Sequence, residues 1–290
     1  DNNESELFYL KEKYRYEPRF KSFFCDIRDL NRLSFLNLGV DIVLHTAALK
    51  HVDISENSPL DAVATNVNGT ANIIQAAIQS DTVKRVIYTS SDKAVNPTNV
   101  MGTTKLLGER LMTSSINISS SKKIIFSSTR FGNVIGSKGS VVPLFYRQIR
   151  DQNKLTLTDS RMTRFIMTVS QAVSLVLEAS KIAKGGEVFV TKMPVVKINE
   201  LALAMIELLA PKFGKDPSLI DIQLIGAKPG EKLHEELMTI EEAPLSLELP
   251  SLFIIRPAFS PNYNVKKISE YKGKIIKATG RPYVSSGERR

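Results

Sequence analysis

The sequence predicts an α/β fold: a Rossmann-type doubly wound parallel sheet with a smaller C-terminal substrate-binding cap. Short apolar runs rich in β-branched residues alternate with segments whose apolar residues recur at helical spacing. Three of these runs end in small and polar residues, which read HTAA, TSSDK and TRFGN. Alternating strands and helices form a parallel sheet covered on both faces, and such sheets bind ligands beyond the carboxyl ends of their strands. The three strand ends therefore predict one binding crevice.

The N-terminal segment is interpreted as the continuation of a dinucleotide-binding fold. Residues 4–14 are predicted to be a helix, and residues 19–30 contain a predicted strand that ends at Asp26 and Ile27. Asp1 would then bind a ribose hydroxyl, and Asp26 with Ile27 would contact the adenine. An ordinary helix cap is the alternative role for Asp1. We expect the first strand and the glycine-rich phosphate turn of such a fold to precede residue 1.

The remaining elements alternate up to residue 192. Strands are predicted at 40–48, 84–91, 123–132 and 186–192, and helices at 59–80, 101–115 and 168–183. Residues 1–192 are therefore predicted to form the NAD(P)-binding domain. From residue 193 prolines recur around one helical segment at 198–210, so residues 193–290 are predicted to form the substrate-binding cap, to which residues 137–164 contribute. The basic segment 272–290 is interpreted as a solvated face.

The composition narrows the class of protein. The chain has 290 residues, of which 42% are hydrophobic and 24% charged, so it can bury a full core and is not a disordered chain. Its one cysteine, Cys25, excludes a disulfide framework and favours a reducing, cytoplasmic location. The net charge of +9 suits an anionic small substrate better than nucleic acid, because the lysines are scattered and no nucleic-acid motif is found.

Membrane and metal association are not predicted for the residues given. No apolar run of about 18 residues is available to span a membrane. The chain shows no signal peptide and begins without a methionine, so a preceding segment, including a membrane domain, is left open. We expect membrane association only if such a segment exists. No cluster of His, Cys and Asp has the spacing of metal ligands, so no metal is expected.

Five motifs carry a resemblance to a known family. They read HTAALKHVDISENSPLDAVATNVNGTANII, TSSDKAVNPTNVMGTTK, RFGNVIGSKGSVVPLF, DSRMTRFIMT and GAKPGEKLHEEL. From Asp1 to about Leu237 the chain resembles the extended short-chain dehydrogenase/reductase superfamily and, within it, the capsular-polysaccharide-type UDP-N-acetylglucosamine 4,6-dehydratases. The C-terminal RPYVSSGERR resembles the tail of the soluble branch of that family. The resemblance implies a Rossmann-type domain, a tightly held NAD or NADP, and a UDP-sugar that lies across the crevice.

The resemblance assigns chemical roles within TSSDKAVNPTNVMGTTK. A 4,6-dehydratase oxidises C4 of the sugar, removes the C5 proton with a base, and protonates the departing C6 hydroxyl with an acid. Lys93, whose pKa would have to be lowered, is the expected base, and Asp92 is the expected acid. Ser91, directly before this pair, is counted with the catalytic residues. Adjacent opposite charges are otherwise most often solvated surface, and simple epimerases and reductases need no such pair.

Met101 and Lys105 share one face of the predicted helix. In the superfamily this lysine binds the nicotinamide ribose, and a tyrosine four residues before it takes the C4 hydroxyl proton. Met101 stands at the tyrosine position, and a thioether cannot take that proton. The resemblance includes a branch of dehydratases with methionine there, so Met101 is expected to line the active site. The proton would pass to Asp92 or Lys93, or through water and Lys105.

Further positions are expected, by the same resemblance, to bind the cofactor or the substrate. The expected cofactor contacts, besides those named above, are Ala47, Ala48, Lys50 and Asn66. The expected substrate contacts are Lys50, Asn133, Arg161, Arg164 and Glu231. Arginine suits bidentate phosphate binding, although either arginine could instead form a domain-bridging salt bridge. Asn66 would brace the strand end beside the catalytic loop or be a helix-surface amide, and His51 and Arg130 could be structural.

The predicted function is an NAD(P)-dependent UDP-N-acetylglucosamine 4,6-dehydratase, a lyase that makes a UDP-4-keto-6-deoxy sugar for surface polysaccharide. A nucleotide-sugar 4-epimerase of the same superfamily and a non-catalytic NAD(P)-binding module remain as alternatives. The choice between NAD and NADP is open, as is the choice between retention and inversion at C5. The expected partner is a UDP-sugar, a homo-oligomer is expected, and nucleic acid is not.

Overall fold

A six-stranded sheet lies at the centre of the computed structural model, which describes residues 1–118, 123–137, 139–227, 229–258, 271 and 280–287. The strands are β1 (Ile42–His45), β2 (Arg85–Ser91), β3 (Ile125–Phe131), β4 (Asn133–Val134), β5 (Lys154–Leu157), β6 (Thr163–Met167), β7 (Val188–Thr191), β8 (Val195–Lys197), β9 (Asp221–Leu224), β10 (Glu236–Met238), β11 (Ser246–Glu248), β12 (Leu252–Ile255) and β13 (Tyr283–Val284). The central order is β1-β2-β3-β7-β12-β11. Its first four strands are parallel, and β12 and β11 are antiparallel. The predicted α/β fold with a parallel sheet is confirmed.

Helices cover both faces of this sheet. The helices of the described residues are α1 (Glu4–Lys13), α2 (Leu30–Leu36), α3 (Val52–Asn57), α4 (Pro59–Ala62), α5 (Gly69–Gln79), α6 (Val100–Ile118), α7 (Val141–Gln152), α8 (Val169–Ile182) and α9 (Ile198–Leu209), with a π-helical turn (Val63–Asn68) between α4 and α5. Val86 and Phe126 pack with α5 and α6 on one face, and Ile87 packs with α8 on the other. Val86 and Ile87 are neighbours on β2, so they point to opposite faces, as the strand period of two requires.

The predicted strand within residues 19–30 is wrong. Residues 20–26 are irregular, and the N–H of Cys25 donates to the carbonyl of Asp1 at 3.0 Å rather than to a neighbouring strand. A strand requires a ladder of backbone hydrogen bonds to a partner. Within the described ranges β1 pairs with β2 alone, and no strand lies beside it on its other edge. An apolar pattern by itself cannot supply that partner.

A second group of elements packs apart from the two faces of the central sheet. α7 and α9 lie against β5 and β9, which form a two-stranded parallel pair, around an apolar cluster that includes Ile149, Leu155 and Ala202. The segment predicted to join the cap thus packs against the helix predicted at 198–210. The boundary between residues 192 and 193 stays a prediction, and β11 and β12, which follow it, are strands of the central sheet.

Two predictions concern the exterior of the chain. Of the basic segment predicted to be a solvated face, residues 272–279 and 288–290 lie outside the described residues. In the described part of the chain, no helix combines the length and the apolar character needed to cross a membrane.

Candidate active site

Three strand ends meet at one edge of the central sheet. β1, β2 and β3 run parallel, and their register pairs His45 with Tyr88 and Ser91 with Phe131. The residues that follow these strands, at 46–49, 92–94 and 132–134, therefore emerge side by side. This edge is where the three motifs predict a binding crevice, and we call it the crevice.

Asp92 and Lys93 form an ion pair in a 3₁₀ turn (Asp92–Ala94) directly after β2. Ser91 Oγ donates a hydrogen bond to Asp92 Oδ1 at 2.7 Å, and Lys93 Nζ donates to the same oxygen at 3.1 Å. The Asp92 side chain is 1% exposed and that of Lys93 is 26% exposed. Asp92 Oδ2 is buried and has no hydrogen-bond partner within the described residues. The pair is therefore not a solvated surface pair, because both charges are largely removed from water.

Glu235, which the sequence did not single out, faces the same lysine. Its Oε1 lies 3.6 Å from Lys93 Nζ and 3.7 Å from Arg164 Nε. The Glu235 side chain is 3% exposed, and its Oε2 is buried without a hydrogen-bond partner in the described part of the chain. We call Asp92, Lys93, Arg164 and Glu235 the crevice cluster. The motif GEKLHEEL contains three glutamates, and no local pattern distinguishes the one that turns inward.

The segment before β10 delivers Glu235 because it is tied to the loop after the 3₁₀ turn. Lys232 Nζ donates to the carbonyl of Val95 at 2.5 Å. The side chains of Thr98 and Asn99 both donate to the carbonyl of Gly230, at 2.9 and 3.0 Å. Gly230 has φ +77°, in the left-handed region that favours glycine.

The charges of the crevice cluster change the pKa values of its members. Burial lowers the pKa of Lys93, but Asp92 and Glu235 outweigh burial, so the pKa lies above the ordinary lysine value. This is the opposite of the lowered pKa expected for a base, because the sequence did not reveal the second carboxylate. Burial is also the main cause of the raised pKa of Glu235, and the charge of Asp92 adds to it.

The two arginines of DSRMTRF occupy different environments. Arg164 is buried, donates to the carbonyls of Thr163 and Leu233, and lies 3.8 Å from Glu231. Arg161 is exposed and pairs with Asp159 at 2.7 Å. The structure therefore brings Arg164, and not Arg161, to the crevice cluster. Substrate roles for Arg161, Arg164 and Glu231 stay predictions.

Helix α6 places Met101 and Lys105 beneath the crevice, and both side chains are buried. Lys105 Nζ donates to the carbonyl of Thr89 at 2.9 Å and lies 4.8 Å from the ring centroid of Tyr88. Burial lowers the pKa of Lys105 to about 8, although the charge of Glu109 opposes the shift. A lysine with this pKa is charged at neutral pH and loses its proton more readily than a surface lysine.

Gly102 lets α6 approach the 3₁₀ turn. A Cβ at this position would overlap the carbonyl oxygen of Lys93. The N–H of Gly102 donates to Asn99 Oδ1 at 2.8 Å, which satisfies one of the free amides at the start of the helix. The glycine of VMGTTK is thus required for packing, since a side chain there would displace the turn that carries Asp92 and Lys93.

Asn66 lies in the π-helical turn and ties two parts of the crevice together. Its Oδ1 accepts the N–H of Leu49 at 2.8 Å, and its Nδ2 donates to the carbonyl of Leu49 at 2.9 Å and to Thr104 Oγ1 at 2.9 Å. It is 1% exposed, so it is not a helix-surface amide. The loop after β1, which carries Ala47 and Ala48, is thereby held to α6. Contacts of Asn66, Ala47 and Ala48 with a cofactor stay predictions.

The N-terminal positions lie together but do not confirm the cofactor roles. Asn3 caps α1 by accepting the N–H of Glu6, so the alternative role of Asp1 as the helix cap is wrong. Asp26 pairs with Arg28 at 2.7 Å, and these hydrogen bonds lower the pKa of Asp26 to about 2. Roles for Asp1, Asp26 and Ile27 in binding a cofactor stay predictions.

The remaining predicted positions flank the crevice. Lys50 is exposed after β1, and His51, next to it, lies against Gly139, where a Cβ would meet the imidazole. Asn133 begins β4, which pairs with β6, and is half-buried. Substrate contacts of Lys50 and Asn133 stay predictions. Across the described ranges, no group of three or more His, Cys, Asp and Glu side chains could hold a metal ion.

Arg130, on β3, belongs to a second ionic cluster away from the crevice. It donates hydrogen bonds of 2.6–3.1 Å to Glu109, to Glu242 and to the carbonyl of Leu237. The Arg130 side chain is 1% exposed. Arg130 therefore has the structural role that the sequence analysis considered for it. We call Glu109, Arg130 and Glu242 the core cluster.

The chain is similar in sequence to a known protein family and to several known proteins. A family model described as "Polysaccharide biosynthesis protein" matches residues 1–257. A Methanocaldococcus jannaschii protein described as an uncharacterized membrane protein is 48% identical over 257 residues, which are 89% of this chain and 77% of that protein. A UDP-N-acetylglucosamine 4,6-dehydratase (inverting) of Campylobacter jejuni is 38% identical over 266 residues, 90% of this chain and 76% of that enzyme.

Epimerases and one solved structure are also similar. A UDP-glucose 4-epimerase of Rickettsia felis is 40% identical over 225 residues, which are 78% of this chain and 64% of that enzyme. The X-ray structure of Pen from Bacillus thuringiensis superposes with a TM-score of 0.86 at 44% identity and covers 99% of this chain and 83% of that one. Dehydratase and epimerase chemistry therefore both occur among the relatives.

Proposed function

The chain belongs to the polysaccharide biosynthesis protein family of extended short-chain dehydrogenases/reductases, and we propose that it is a nucleotide-sugar 4,6-dehydratase that converts UDP-N-acetylglucosamine to a UDP-4-keto-6-deoxy sugar. The observation that carries the proposal is the ion pair of Asp92 and Lys93 at the carboxyl end of β2. An acid and a base held 3.1 Å apart beside a crevice suit an elimination, which needs both groups at once.

NAD is the cofactor that we propose, and the residues beneath the crevice fit it. Lys105 offers a buried amine there, and Ser90 keeps a buried hydroxyl without a partner among the described residues. Ala47 and Ala48 have side chains small enough to leave room for a flat ring after β1. When bound, NAD would supply hydride acceptance at C4 of the sugar and hydride return to C6.

The contacts of Asp92 and Lys93 support the roles of acid and base that we propose for them. Lys93 would remove the C5 proton once it has passed its own proton to Asp92, since Nζ already donates to Oδ1. Asp92 would then protonate the departing C6 hydroxyl; its Oδ2 has no hydrogen-bond partner among the described residues. Ser91 orients the carboxylate through its 2.7 Å hydrogen bond. Asn133, Lys50 and the arginines of DSRMTRF are proposed to bind the UDP-sugar.

A 4-epimerase is the second candidate, because the Rickettsia felis relative is described as one. Epimerisation at C4 needs no acid for C6, so it leaves the buried Asp92 without a role. A non-catalytic module would have no use for a buried ion pair whose carboxylate oxygen is unpartnered, since such a group is costly. Both candidates predict products that differ from those of a dehydratase.

The test is incubation of the protein and NAD with UDP-N-acetylglucosamine, followed by NMR of the products. A 4,6-dehydratase yields a C6 methyl signal and a C4 ketone or its hydrate. A 4-epimerase yields the C4 epimer with C6 still hydroxylated, and a binding module yields unchanged substrate; either result overturns the proposal. Lys84→Met is the control variant, since Lys84 forms an exposed ion pair with Asp41 far from the crevice.

A further inference from the structure

The crevice cluster contains a carboxylate for which the proposed chemistry has no role. Glu235 Oε1 lies 3.6 Å from Lys93 Nζ, and Glu235 Oε2 is buried without a hydrogen-bond partner in the described residues. We propose that Glu235 holds the proton that oxidation of C4 releases, and so replaces, by acting through Lys93, the tyrosine that is absent at Met101. This inference rests on the proposed function.

Oxidation of C4 and the elimination that follows it together release more protons than Asp92 and Lys93 can take up by themselves. In the ion pair Lys93 carries its proton and Asp92 carries none, so the pair has room for one more. The C4 hydroxyl and C5 each release a proton before the departing C6 hydroxyl takes one away. After the first of these protons both members of the pair would be protonated, and no base would remain for C5. A third acceptor is therefore needed.

With Glu235 each proton has an acceptor. Lys93 passes its proton to Glu235 and takes that of the C4 hydroxyl. It then passes a proton to Asp92 and, as a neutral amine, removes the C5 proton, while Asp92 gives its proton to the C6 hydroxyl, which leaves as water. Lys93 finally returns a proton to C5, and Glu235 returns its own to Lys93. The cluster ends in the protonation state in which it began.

The contacts of the two carboxylates explain why Glu235 is the one that stores a proton. Asp92 Oδ1 already accepts two hydrogen bonds, from Ser91 at 2.7 Å and from Lys93 at 3.1 Å. Glu235 meets Lys93 at 3.6 Å and Arg164 at 3.7 Å, both longer than a hydrogen bond. A buried carboxylate without hydrogen bonds favours its neutral form.

Charged groups from several elements face this site. Asp92 comes from the turn after β2, Arg164 from β6, and Lys232 from the segment before β10. Burial raises the pKa of Glu235 and the charge of Asp92 adds to it, although Lys93, Arg164 and Lys232 oppose the shift. The pKa therefore ends above the ordinary value for a glutamate. Glu235 therefore holds a proton more firmly than an ordinary glutamate does.

Lys105 is a less suitable acceptor. Its pKa, lowered by burial to about 8, means that it carries its proton at neutral pH and has no place for another. Its Nζ is also directed to the carbonyl of Thr89 at 2.9 Å. Ser91 can relay a proton but not store one, because a hydroxyl that accepts a proton must give one up.

The backbone of Glu235 is held from the C-terminal part of the chain. Its N–H donates to Ser285 Oγ at 2.8 Å, and the N–H of Ser285 donates to its carbonyl at 2.8 Å. Ser285 Oγ also meets Thr163 Oγ1 at 2.8 Å, and β13 pairs with β10. Residues far apart in the chain thus fix the position from which the carboxylate reaches Lys93.

The first measurement needs no enzymatic activity. Isotope-coded acetylation of Lys93 across pH, followed by mass spectrometry, reports the pKa of Lys93 in the wild type and in Glu235→Gln. We expect the pKa to fall in the variant, because one of the two negative charges that stabilise the ammonium of Lys93 is removed. Glu236→Gln is the matched control, since the amide can still accept the hydrogen bond from Asn96. An unchanged pKa in Glu235→Gln overturns the inference.

The second measurement follows turnover against pH. Glu235→Gln should lower turnover by about 10²-fold or more at neutral pH, and its rate should rise with pH, because solvent must then take the C4 proton. Glu235→Asp should recover part of the rate, and Glu236→Gln should keep the wild-type profile. Wild-type turnover in Glu235→Gln, or a loss that no pH restores, overturns the inference.

Failure of the inference can be distinguished from failure of the proposed function. If the wild type forms no 4-keto-6-deoxy sugar, the proposed function is wrong and the inference with it, whatever the labelling of Lys93 shows. If the wild type forms it while Glu235→Gln behaves like Glu236→Gln, only the inference is wrong. If Glu235→Gln does not fold, the pKa of Lys93 and the turnover against pH are measured in Glu235→Asp instead. Both quantities should then change in the same directions but by smaller amounts.

Discussion

Asp92 and Lys93 of the crevice cluster follow β2, and Arg130 of the core cluster lies on the neighbouring strand β3, yet the two clusters differ in how completely their polar atoms are hydrogen-bonded. In the core cluster the guanidinium of Arg130 donates hydrogen bonds of 2.6–3.1 Å to two carboxylates and a carbonyl. In the crevice cluster, ion pairs extend to 3.7 Å, and Asp92 Oδ2 and Glu235 Oε2 have no partner among the described residues. A network in which every polar atom has a hydrogen-bond partner fixes its side chains in one arrangement. A network with unpartnered acceptors costs free energy and leaves those acceptors for a ligand.

The two clusters also differ in their cation: the core cluster has an arginine, and the crevice cluster has a lysine beside its arginine. Arginine cannot lose its proton in a protein and binds carboxylates with a rigid fork, so Arg130 suits a permanent core. Lysine is a compact charge whose pKa shifts with its environment, so Lys93 suits a site where protons move. Both clusters bury charge, so burial of charge alone does not distinguish them; the incomplete hydrogen bonding of Asp92 and Glu235 does.

The largest expected effect is on turnover in the crevice cluster. Lys93→Met should lower the rate of dehydration by about 10²–10⁴-fold, the usual contribution of an acid or a base. Its effect on the free energy of unfolding should be smaller than that of a change at Arg130, because water reaches the 26% exposed Lys93 side chain. Product NMR measures the change in turnover, and urea denaturation measures the change in the free energy of unfolding.

Exchange of the C5 hydrogen with deuterated solvent separates the base from the acid. Asp92→Asn should exchange it slowly and faster as the pH rises, because Lys93 must then lose its proton to solvent rather than to Asp92. It should also release little 4-keto-6-deoxy product, since the C6 hydroxyl is then a poor leaving group. Lys93→Met should not exchange it. The opposite pattern would mean that the two residues have each other's roles.

The next largest effect is on stability in the core cluster. Arg130→Met should lower the free energy of unfolding by about 3–5 kcal/mol, because Glu109 and Glu242 are left buried without their cation. Arg150→Met is the matched control: Arg150 forms an exposed pair with Asp151, and such pairs contribute about 0–1 kcal/mol. Equal losses in urea denaturation would show that the core cluster does not have the role assigned to it.

Lys105 is buried, like Arg130 of the core cluster, and, like Lys93 of the crevice cluster, it is a lysine whose pKa is shifted. Its folded pKa is about 8 and the ordinary lysine value is 10.5, so the unfolded chain binds more protons between these values. Stability should therefore rise with pH between 8 and 10.5, by on the order of 3 kcal/mol in total. Lys105→Met should lack this rise when the two unfolding curves are compared across pH. Parallel curves would show that Lys105 is not desolvated.

The smallest effect is expected at Met101. Met101→Leu keeps the volume of a buried side chain, so it should cost less than about 1.5 kcal/mol in unfolding free energy. Turnover should fall by less than about tenfold, below the range of an acid or a base. A loss of about 10²-fold or more, with the fold intact by circular dichroism, would assign Met101 a chemical role and weaken the case for Glu235.

Local signals explain which predictions the structure confirmed. The strands at 84–91 and 123–132 and the helix at 101–115 carry their own apolar periodicity, and the structure has them as β2, β3 and α6. The strand predicted within residues 19–30 was wrong because a strand depends on a partner, which periodicity does not report. The lowered pKa expected for Lys93 was wrong because it depends on a carboxylate far along the chain.

The sequence by itself determined the strands at 84–91 and 123–132, the helix at 101–115, the three motifs that follow parallel strands, and the adjacency of Asp92 and Lys93. These features are local, since neighbours in the chain remain neighbours in the fold. Only the tertiary structure decided that Glu235 faces Lys93, that Ser285 holds it there, and that Arg130 belongs to the core. Such contacts join residues far apart in the chain, and they depend on which strands pair rather than on any pattern within one segment.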